Sequence, residues 1–414
     1  MTDQSGVVEV IRCCRGEREC ERASARKEKT TNSTNTDSTT CSGVVVTGAS
    51  GYVGGAVVSY LLTHTDVPRI HATVRGDVGA ARYDQLRSLD PSQRRLRLFS
   101  ADLEEPNAFD EPCEGCSAII HVAAPTTLRY RNMEEAYASM IDPAIRGIEN
   151  VVSSVEKMGL RTVVLTSSMA AVQGDGWERG REHVYTERDW NECNETPEKN
   201  AYACMKLRSE RRCWELFEER KVRSPSSSWE RLVSLCPGMV LGAPSTDVRS
   251  EVVEFVTLLM QGKIWPVIPN YEFSMVHLED VAKAHVLAAL GSAAQGDRYI
   301  LAAGAQTVGM LGVVCGRLKD GVRTRIEGAR GNGRTVRYTS KFRWPMCGAP
   351  RWLLWVLSWF TDSVQWPLVQ AYLDKPSRFD GGKVVREMEG FGAYRDPVDG
   401  FLELLVWVVH AGLA

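Results

Sequence analysis

The chain has 414 residues, and 50 lysines and arginines against 52 aspartates and glutamates give it a formal net charge of −2. This balance excludes the basic surface on which nucleic-acid binding depends, and the 43% of hydrophobic and 25% of charged residues exclude a chain that is disordered throughout. Twelve cysteines in a chain of this length are too dilute for a disulfide scaffold. We therefore expect a large globular protein with a conventional apolar core.

The first 40 residues differ in composition from the rest of the chain. The stretch from Thr30 to Thr40 contains no apolar side chain, so it cannot bury enough surface to offset the entropy lost on ordering. We predict that residues 1–40 form a disordered tail. This segment lacks the apolar run of a secretory signal, and no part of the chain reaches the roughly 18 consecutive apolar residues of a membrane-spanning helix. We expect a cytoplasmic protein without a transmembrane segment.

Short apolar runs alternate with helical patterns from residue 43 onwards. Such alternation is typical of βαβ units that build a parallel sheet covered on both faces. The sequence predicts strands at Val44–Val46, Ile70–Val74, Leu96–Phe99, Ala118–Val122, Thr162–Leu165 and Leu232–Leu235, and helices at Ala56–Leu62, Pro143–Met158, Asn200–Arg220 and Val281–Leu290. The fold class that follows is α/β, with a Rossmann-like doubly wound parallel sheet and a smaller C-terminal substrate-binding lobe.

The first predicted strand runs into a glycine-rich turn, Thr47-Gly48-Ala49-Ser50-Gly51-Tyr52-Val53-Gly54. In a dinucleotide-binding turn, the glycines permit the tight turn, the approach of the backbone to the pyrophosphate, and the packing of helix on strand. The helix that follows presents free N–H groups to the phosphates. A turn without a ligand is the alternative, but the position between a strand and a helix favours binding. We predict cofactor contacts from Gly48, Ser50, Gly51, Tyr52, Val53 and Gly54.

The end of the second predicted strand indicates which dinucleotide is bound. NAD enzymes place an acidic residue there for the ribose 2′-OH, whereas an arginine accommodates the 2′-phosphate of NADP. Here the strand ends in Val74-Arg75, and Arg82 supplies a second cation seven residues later. Asp77 keeps NAD open as the alternative. We predict NADP(H) as the cofactor, with Arg75 and Arg82 at its 2′-phosphate.

A tyrosine and a lysine stand four residues apart on a predicted helix, in Tyr202-Ala203-Cys204-Met205-Lys206. Residues at this spacing share a helix face, and a neighbouring ammonium stabilises a phenolate, which suits Tyr202 to general acid or base catalysis. The pair alone is common by chance. Its position after the fifth predicted strand, which ends in Thr166-Ser167-Ser168, strengthens the interpretation, because functional groups in open α/β sheets gather at the carboxyl ends of strands.

Several motifs occur together in one characteristic order. They are the glycine turn, Ala101-Asp102-Leu103, His121-Val122-Ala123-Ala124-Pro125, Pro143-x-x-x-Gly147, Thr166-Ser167-Ser168, Tyr202-x-x-x-Lys206 and Asp280-Val281-Ala282. In these motifs the chain resembles an extended short-chain dehydrogenase/reductase of the NAD-dependent epimerase/dehydratase family, over roughly residues 43–290. Within that family it is most similar to the dihydroflavonol 4-reductase-like group, which includes cinnamoyl-CoA reductases and yeast-type aldehyde/ketone reductases.

The resemblance implies roles for individual residues. Ser168, with Ser167 as the alternative, would polarise the substrate carbonyl, Tyr202 would protonate the developing alkoxide, and Lys206 would hold the nicotinamide ribose. Further cofactor contacts are implied for Asp102 and Leu103 at adenine, for Ala123, Ala124 and Thr166 along the cofactor, and for Pro237 and Val240 beside the nicotinamide. No metal is needed for this chemistry. We expect His121 to be a strand histidine satisfied by the backbone.

Together these inferences predict an NADPH-dependent carbonyl reductase acting on a small-molecule aldehyde, ketone or dihydroflavonol-like substrate, as a monomer or homodimer. Ala201 replaces the tryptophan of the cinnamoyl-CoA reductase signature, which argues against a CoA-thioester substrate. Residues 41–240, with a return segment near 275–290, would form the NADP-binding domain, and residues 241–414 mostly the substrate-binding lobe. The alternatives are a 3β-hydroxysteroid/sterol dehydrogenase, a nucleotide-sugar epimerase, and, from another class, a catalytically silent NADP-binding regulatory protein.

Overall fold

The protein, described here from a computed structural model, has a central sheet of seven parallel strands and shorter strands that pair outside it. In chain order the strands are Val44–Thr47 (β1), Ile70–Val74 (β2), Leu96–Ser100 (β3), Ala118–His121 (β4), Thr162–Thr166 (β5), Val184–Tyr185 (β6), Arg231–Pro237 (β7), Met239–Leu241 (β8), Val267–Ile268 (β9), Glu272–Phe273 (β10), Met275–His277 (β11), Asp297–Leu301 (β12), Val308–Gly309 (β13), Cys347–Gly348 (β14) and Arg378–Phe379 (β15). The central sheet has the order β12-β7-β5-β4-β1-β2-β3.

The helices connect these strands as a doubly wound fold requires. They are Tyr52–His64 (α1), Asp84–Ser88 (α2), Asp110–Cys113 (α3), Met133–Ala136 (α4), Asp142–Met158 (α5), Ala201–Arg223 (α6), Glu251–Met260 (α7), Leu278–Ala289 (α8), Arg351–Leu357 (α9), Gly382–Glu387 (α10) and Pro397–His410 (α11). A π-helical turn, Tyr137–Ile141, joins α4 to α5. Single 3₁₀ turns occupy Ala81–Tyr83 and Met169–Ala171.

The structure describes residues 42–125, 130–174, 179–192, 196–198, 200–224, 226–248, 250–263, 267–268, 272–291, 297–303, 308–309, 347–357, 373, 375 and 378–413. The tail predicted at residues 1–40, and most of the stretch 303–360 assigned to the substrate-binding lobe, lie outside these residues. Within them, no helix is long and apolar enough to cross a membrane.

The core lies on the two faces of the central sheet. Val44, Val45 and Val46 in β1 are fully buried, which a central parallel strand requires because helices cover both of its faces. Val45 packs in one cluster with Ile119 of β4 and with residues of α5 and α6. Helices α1 and α8 pack against each other. The parallel Rossmann-like sheet predicted from the sequence is confirmed.

Two of the differences from the sequence prediction concern the glycine turn and the central sheet. Helix α1 begins at Tyr52 rather than at Ala56, so that Gly54 and Gly55, which weaken the helical pattern, lie inside its first turn. Strand β12 was not predicted; it pairs with β7 at the edge of the central sheet, within the region assigned to the substrate-binding lobe. The strand begins with two charged residues, Asp297 and Arg298, which do not fit the apolar pattern of a buried strand. Arg298 is buried because of contacts with residues distant in the sequence.

Candidate active site

The two serines after β5 have different hydrogen-bond partners. Ser167 Oγ donates to Glu210 Oε2 at 2.6 Å, and both side chains are buried. Because a carboxylate only accepts, the Ser167 proton is committed to Glu210. Ser168 Oγ accepts from the backbone N–H of Ala170 at 3.1 Å, which starts the 3₁₀ turn and uses a lone pair rather than the hydroxyl proton. The geometry therefore favours Ser168 over Ser167 as the donor to a substrate carbonyl.

Helix α6 carries the tyrosine and the lysine to the carboxyl end of β5. Asn200 caps the helix, because its side-chain oxygen accepts from the N–H of Ala203 at 3.0 Å. Lys206 is buried, and its Nζ donates to the Thr166 carbonyl oxygen at 3.1 Å. Tyr202 lies one turn earlier, half-buried against a cluster formed by α4, α5 and the π-helical turn. Lys206, predicted from its spacing to Tyr202, thus lies beside the carboxyl end of β5, as the order of the motifs in the sequence suggested.

Two buried histidines flank this lysine. His285 Nδ1 donates to the Val281 carbonyl at 2.7 Å, so the Nε2 atom accepts from the Thr166 hydroxyl, also at 2.7 Å. Burial, reinforced by the charge of Lys206, lowers the pKa of His285 to about 4. The same two causes lower the pKa of His121 to about 3. Both imidazoles are therefore neutral at physiological pH, and Lys206 is the cation among them.

His121 has a side-chain partner rather than the backbone partner expected from the sequence. The Thr47 hydroxyl lies 2.8 Å from His121 Nδ1 and accepts from the N–H groups of Val122 and Ala123, each at 3.1 Å. Since two donors occupy the oxygen, its own proton goes to Nδ1, which places the histidine proton on Nε2. Thr47 lies in a different strand, 74 residues away, so local sequence gave no sign of this bond.

A buried ion pair lies next to the serine turn, which we define as Ser167, Ser168 and the 3₁₀ turn Met169–Ala171. Glu210, one turn beyond Lys206 on α6, is fully buried and accepts from Arg298 Nε at 2.7 Å and from Nη2 at 3.1 Å. Burial raises the pKa of Glu210, but the charge and hydrogen bonds of Arg298 and two serine hydroxyls outweigh it, so the net pKa is lowered. The pair was missed in the sequence, although Tyr202, Lys206 and Glu210 continue one four-residue spacing.

The glycine turn has the geometry of a phosphate cradle. Gly48 has φ +65°, and a Cβ there would lie 2.9 Å from the Cα of Ala123. At Gly54 a Cβ would lie 2.2 Å from the Gly48 carbonyl oxygen, so only glycine keeps this turn closed. The Tyr52 hydroxyl donates to the Gly242 carbonyl at 2.6 Å, away from the turn. Tyr52 was predicted as a cofactor contact. With its hydroxyl bonded elsewhere, it would contact a phosphate through its backbone N–H.

The two predicted arginines lie together at the end of β2. Arg82 Nη2 and the Tyr83 hydroxyl both donate to the Arg75 carbonyl, at 2.8 and 2.6 Å. The Arg75 Nε atom lies 3.5 Å from Asp102 Oδ2, at the end of β3, and the side chain remains 72% exposed. Asp77 Oδ1 accepts from Gly79 N in a local turn. Arg75 is therefore an exposed cation at the end of β2, while the exposed acid Asp77 has one carboxylate oxygen bonded within its own loop.

A small cavity of about 20 Å³ joins several predicted residues. Its lining includes Ala123, Ala124, Thr166 and Lys206, together with His121 and Glu210. Leu103, by contrast, packs its side chain against Gly147 in the core, and its carbonyl oxygen accepts from Asn150 Nδ2 at 2.7 Å. Pro237 ends β7, and Val240 lies in β8, which pairs with β11. In the part of the chain that the structure describes, no three His, Cys, Asp or Glu residues are placed to hold a metal ion.

Sequence comparison relates the chain to one family of oxidoreductases. The profile of the 3-beta hydroxysteroid dehydrogenase/isomerase family matches residues 45–302. The cinnamoyl-CoA reductase CAD2 of Medicago truncatula is 34% identical over 255 residues, which are 61% of this chain and 74% of that protein. The dihydroflavonol 4-reductase of Gerbera hybrida is 28% identical over 275 residues, 65% of this chain and 70% of the relative.

Structural comparison finds the same architecture in a solved reductase. The yeast methylglyoxal/isovaleraldehyde reductase Gre2, in its complex with NADPH, superposes with a TM-score of 0.66. The match covers 90% of this chain and all of Gre2, at 21% sequence identity. At that identity the similarity concerns the fold.

Proposed function

Because the chain belongs to the 3-beta hydroxysteroid dehydrogenase/isomerase family, we propose that it is an NADPH-dependent reductase of carbonyl compounds. The family membership confirms the resemblance drawn from the motifs. The curated relatives named above are a cinnamoyl-CoA reductase and a dihydroflavonol 4-reductase, and the solved neighbour reduces methylglyoxal and isovaleraldehyde. We propose an aldehyde, a ketone or a dihydroflavonol-like compound as the substrate.

One observation carries this proposal above the others. The ammonium of Lys206 is fixed on the Thr166 carbonyl, one helical turn from Tyr202 and beside the turn that begins at Ser168. Carbonyl reduction requires a donor to the carbonyl oxygen, a proton source and a charge that stabilises the phenolate left behind; Ser168, Tyr202 and Lys206 would supply these three groups.

The residues present fit NADPH. Gly48, Gly51 and Gly54 leave no Cβ where the chain closes on itself, and the start of α1 offers backbone N–H groups to a pyrophosphate. Arg75 and Arg82 would hold the 2′-phosphate, and Ala123, Ala124 and Thr166 would border the cofactor near Lys206. When bound, NADPH supplies the hydride that reduces the carbonyl carbon.

The chain's own residues handle the oxygen of the substrate. Ser168 would donate a hydrogen bond to the carbonyl oxygen and so favour the charge that develops on it. Tyr202 would give its phenolic proton to that oxygen, which yields the alcohol. Lys206, the cation beside the neutral His121 and His285, would stabilise the tyrosinate until a proton from solvent restores the phenol.

The test is oxidation of NADPH and NADH by the full chain with a panel of aldehydes, diketones and dihydroflavonols. We expect turnover with NADPH and at least one carbonyl, and a loss of about 10²-fold or more in kcat for Tyr202→Phe. Tyr60→Phe, which removes a hydroxyl from the half-buried Tyr60 of α1, is the matched control and should retain activity. No turnover with any carbonyl, or full activity of Tyr202→Phe, would refute the proposal.

The same assay separates the alternatives. A 3-hydroxysteroid with NAD and a nucleotide sugar with NAD belong in the panel, because a steroid dehydrogenase or an epimerase of this family would use them. The exposed Arg75 beside Arg82 supports NADP instead. A CoA thioester should be included as well, since the Medicago truncatula relative is a cinnamoyl-CoA reductase, although Ala201 stands in place of the signature tryptophan.

Domain organisation, location and assembly complete the proposal. We assign residues 41–240 and 275–290 to NADP binding and residues 241–414 mostly to the substrate-binding lobe. We propose a cytoplasmic location, since the buried thiols of Cys113, Cys213 and Cys236 suit a reducing compartment. We propose a monomer or a homodimer. Subcellular fractionation and light scattering after size-exclusion chromatography test location and assembly.

A further inference from the structure

The buried ion pair between Glu210 and Arg298 is not among the residues assigned above to substrate or cofactor, although Glu210 lines the small cavity beside Lys206. Glu210 is fully buried and Arg298 is 6% exposed. Burying two charges is expensive, and well-packed apolar residues often serve stability equally well. This cost points to a role of the pair other than stability. Its hydrogen bonds connect it to the serine turn through two separate groups of residues.

The first connection runs through Ser167. Its hydroxyl donates to Glu210 Oε2 at 2.6 Å, and its N–H donates to the Leu235 carbonyl at 2.8 Å. These two bonds fix the residue that directly precedes Ser168. The main chain of Ser168 is thus oriented by a side chain of α6, the helix that also carries Tyr202 and Lys206.

The second connection runs through the segment after β6. Arg298 Nη1 donates to the carbonyl oxygens of Glu187 and Asp189, each at 2.9 Å, and its guanidinium lies 3.7 Å from the centre of the Trp190 ring. Asn191, at the end of the same segment, donates from Nδ2 to the Ala170 carbonyl at 2.7 Å. Ala170 is the residue whose N–H bonds the Ser168 hydroxyl.

From these two connections we propose that Glu210 and Arg298 are positioning residues for Ser168: they hold its hydroxyl in register with Tyr202 and Lys206. The inference rests on the proposed reductase function. The ion pair acts through Ser167 on one side of Ser168 and through the Asp189–Asn191 segment on the other. A displacement of a reacting group by 1 Å can lower a rate by about 10²-fold, so a fixed serine turn has a direct effect on kcat.

The chain contains a matched control. Ser234, in β7, also donates to Glu210, at 2.5 Å to Oε1, and is as buried as Ser167. It pairs with Leu165 of β5 and Arg298 of β12, inside the sheet rather than at its carboxyl end. Removing either hydroxyl takes one donor from Glu210, but only Ser167→Ala breaks a bond that leads to Ser168.

The test compares Ser167→Ala with Ser234→Ala in the full chain. We expect Ser167→Ala to lower kcat about 10-fold while the Kd for NADPH changes less than twofold, and Ser234→Ala to leave kcat within twofold. A readout independent of turnover is amide hydrogen exchange across residues 169–173, which should be faster in Ser167→Ala and unchanged in Ser234→Ala. Melting temperatures should fall by similar amounts in both variants.

Glu210→Gln tests the charge directly, but it leaves Arg298 without a counter-charge and so risks unfolding the chain; the serine pair remains decisive in that case. Equal effects of the two serine variants on kcat and exchange, or no effect of Ser167→Ala on either, would overturn the inference and leave the reductase function intact. Absence of turnover in the unmodified protein would refute the function, while the exchange comparison would still decide whether Glu210 holds the serine turn.

Discussion

Lys206 Nζ donates to the carbonyl oxygen of Thr166 at 3.1 Å, which joins the helix of the tyrosine and lysine to the strand end of the serine turn. The bond uses one of three donors of the ammonium and leaves two for a ligand. Because His121 and His285 are neutral, Lys206 is the positively charged member of this group of three side chains.

We expect Lys206→Ala to lower kcat by about 10²-fold or more, since the variant removes the charge that stabilises the tyrosinate. The KM for NADPH should also rise, because the ammonium would bind the nicotinamide ribose. Steady-state kinetics with NADPH and the best carbonyl of the panel measure both effects. Lys221→Ala, on the exposed surface of the same helix, is the control. A kcat within twofold of the unmodified protein would contradict this role.

Arg75 should determine the choice of cofactor. Loss of a charge-assisted hydrogen bond to the 2′-phosphate should raise the KM for NADPH about 10-fold in Arg75→Ser, with little change for NADH. Arg97→Ser is the matched control, because Arg97 is a similarly exposed arginine, 69% against 72% exposure, in the neighbouring strand β3. Equal KM changes in the two variants, or equal use of NADH by the unmodified protein, would remove Arg75 from the cofactor site.

The sequence predicted most of the central sheet because its strands are buried on both faces. Ile70–Val74 is a run of this kind, and the structure has a strand with those same bounds. The edge strand Asp297–Leu301 was missed, because Arg298 belongs in the interior only when Glu210 is beside it. A charge pair between residues 88 positions apart leaves no local periodicity to detect.

In the candidate site, too, some residues could be predicted from local sequence patterns and others only from the folded chain. Tyr202 and Lys206 were found because their spacing on one helix is a local pattern. The partners of His121 and His285, which are Thr47 and Thr166, lie in other strands and could be identified only in the folded chain. Likewise, Ser168 and Ser167 are equivalent in the sequence, and only the bond from Ser167 to Glu210 distinguishes them.

The closed glycine turn predicts unequal effects at adjacent positions. A Cβ at Gly54 would lie 2.2 Å from the Gly48 carbonyl, whereas a Cβ at Gly55 would meet the Thr246 hydroxyl at 3.1 Å, a side-chain atom that can move. Gly54→Ala should therefore weaken NADPH binding more than about 10-fold and Gly55→Ala less than about threefold. Titration of NADPH fluorescence gives both values. Similar affinities for the two variants would exclude the turn as the phosphate site.

Tyr52 distinguishes a structural hydroxyl from a binding one. Its hydroxyl is the donor to the buried Gly242 carbonyl, so Tyr52→Phe should lower the free energy of unfolding by about 1–3 kcal/mol. The KM for NADPH should stay within twofold, because the hydroxyl is bonded to Gly242 rather than to the glycine turn. Urea unfolding and steady-state kinetics measure the two quantities. A large rise in KM with unchanged stability would show that the hydroxyl binds the cofactor.

The buried, neutral His285 predicts a loss of stability in acid. Its pKa is about 4 in the folded chain against the ordinary histidine value of 6.5 in the unfolded chain, so the unfolded chain binds the extra proton first, and stability falls as the pH drops below 6.5 towards 4. For this group alone the free energy of unfolding should fall by about 2 kcal/mol between pH 7 and pH 5.

His285→Gln, which lacks the titrating group, should lose that part of the pH dependence of stability, although His121 retains its own. Urea unfolding at the two pH values measures the change, with exposed His64→Gln as the control. An unaltered pH dependence in His285→Gln would mean that the pKa of His285 does not differ between the folded and the unfolded chain.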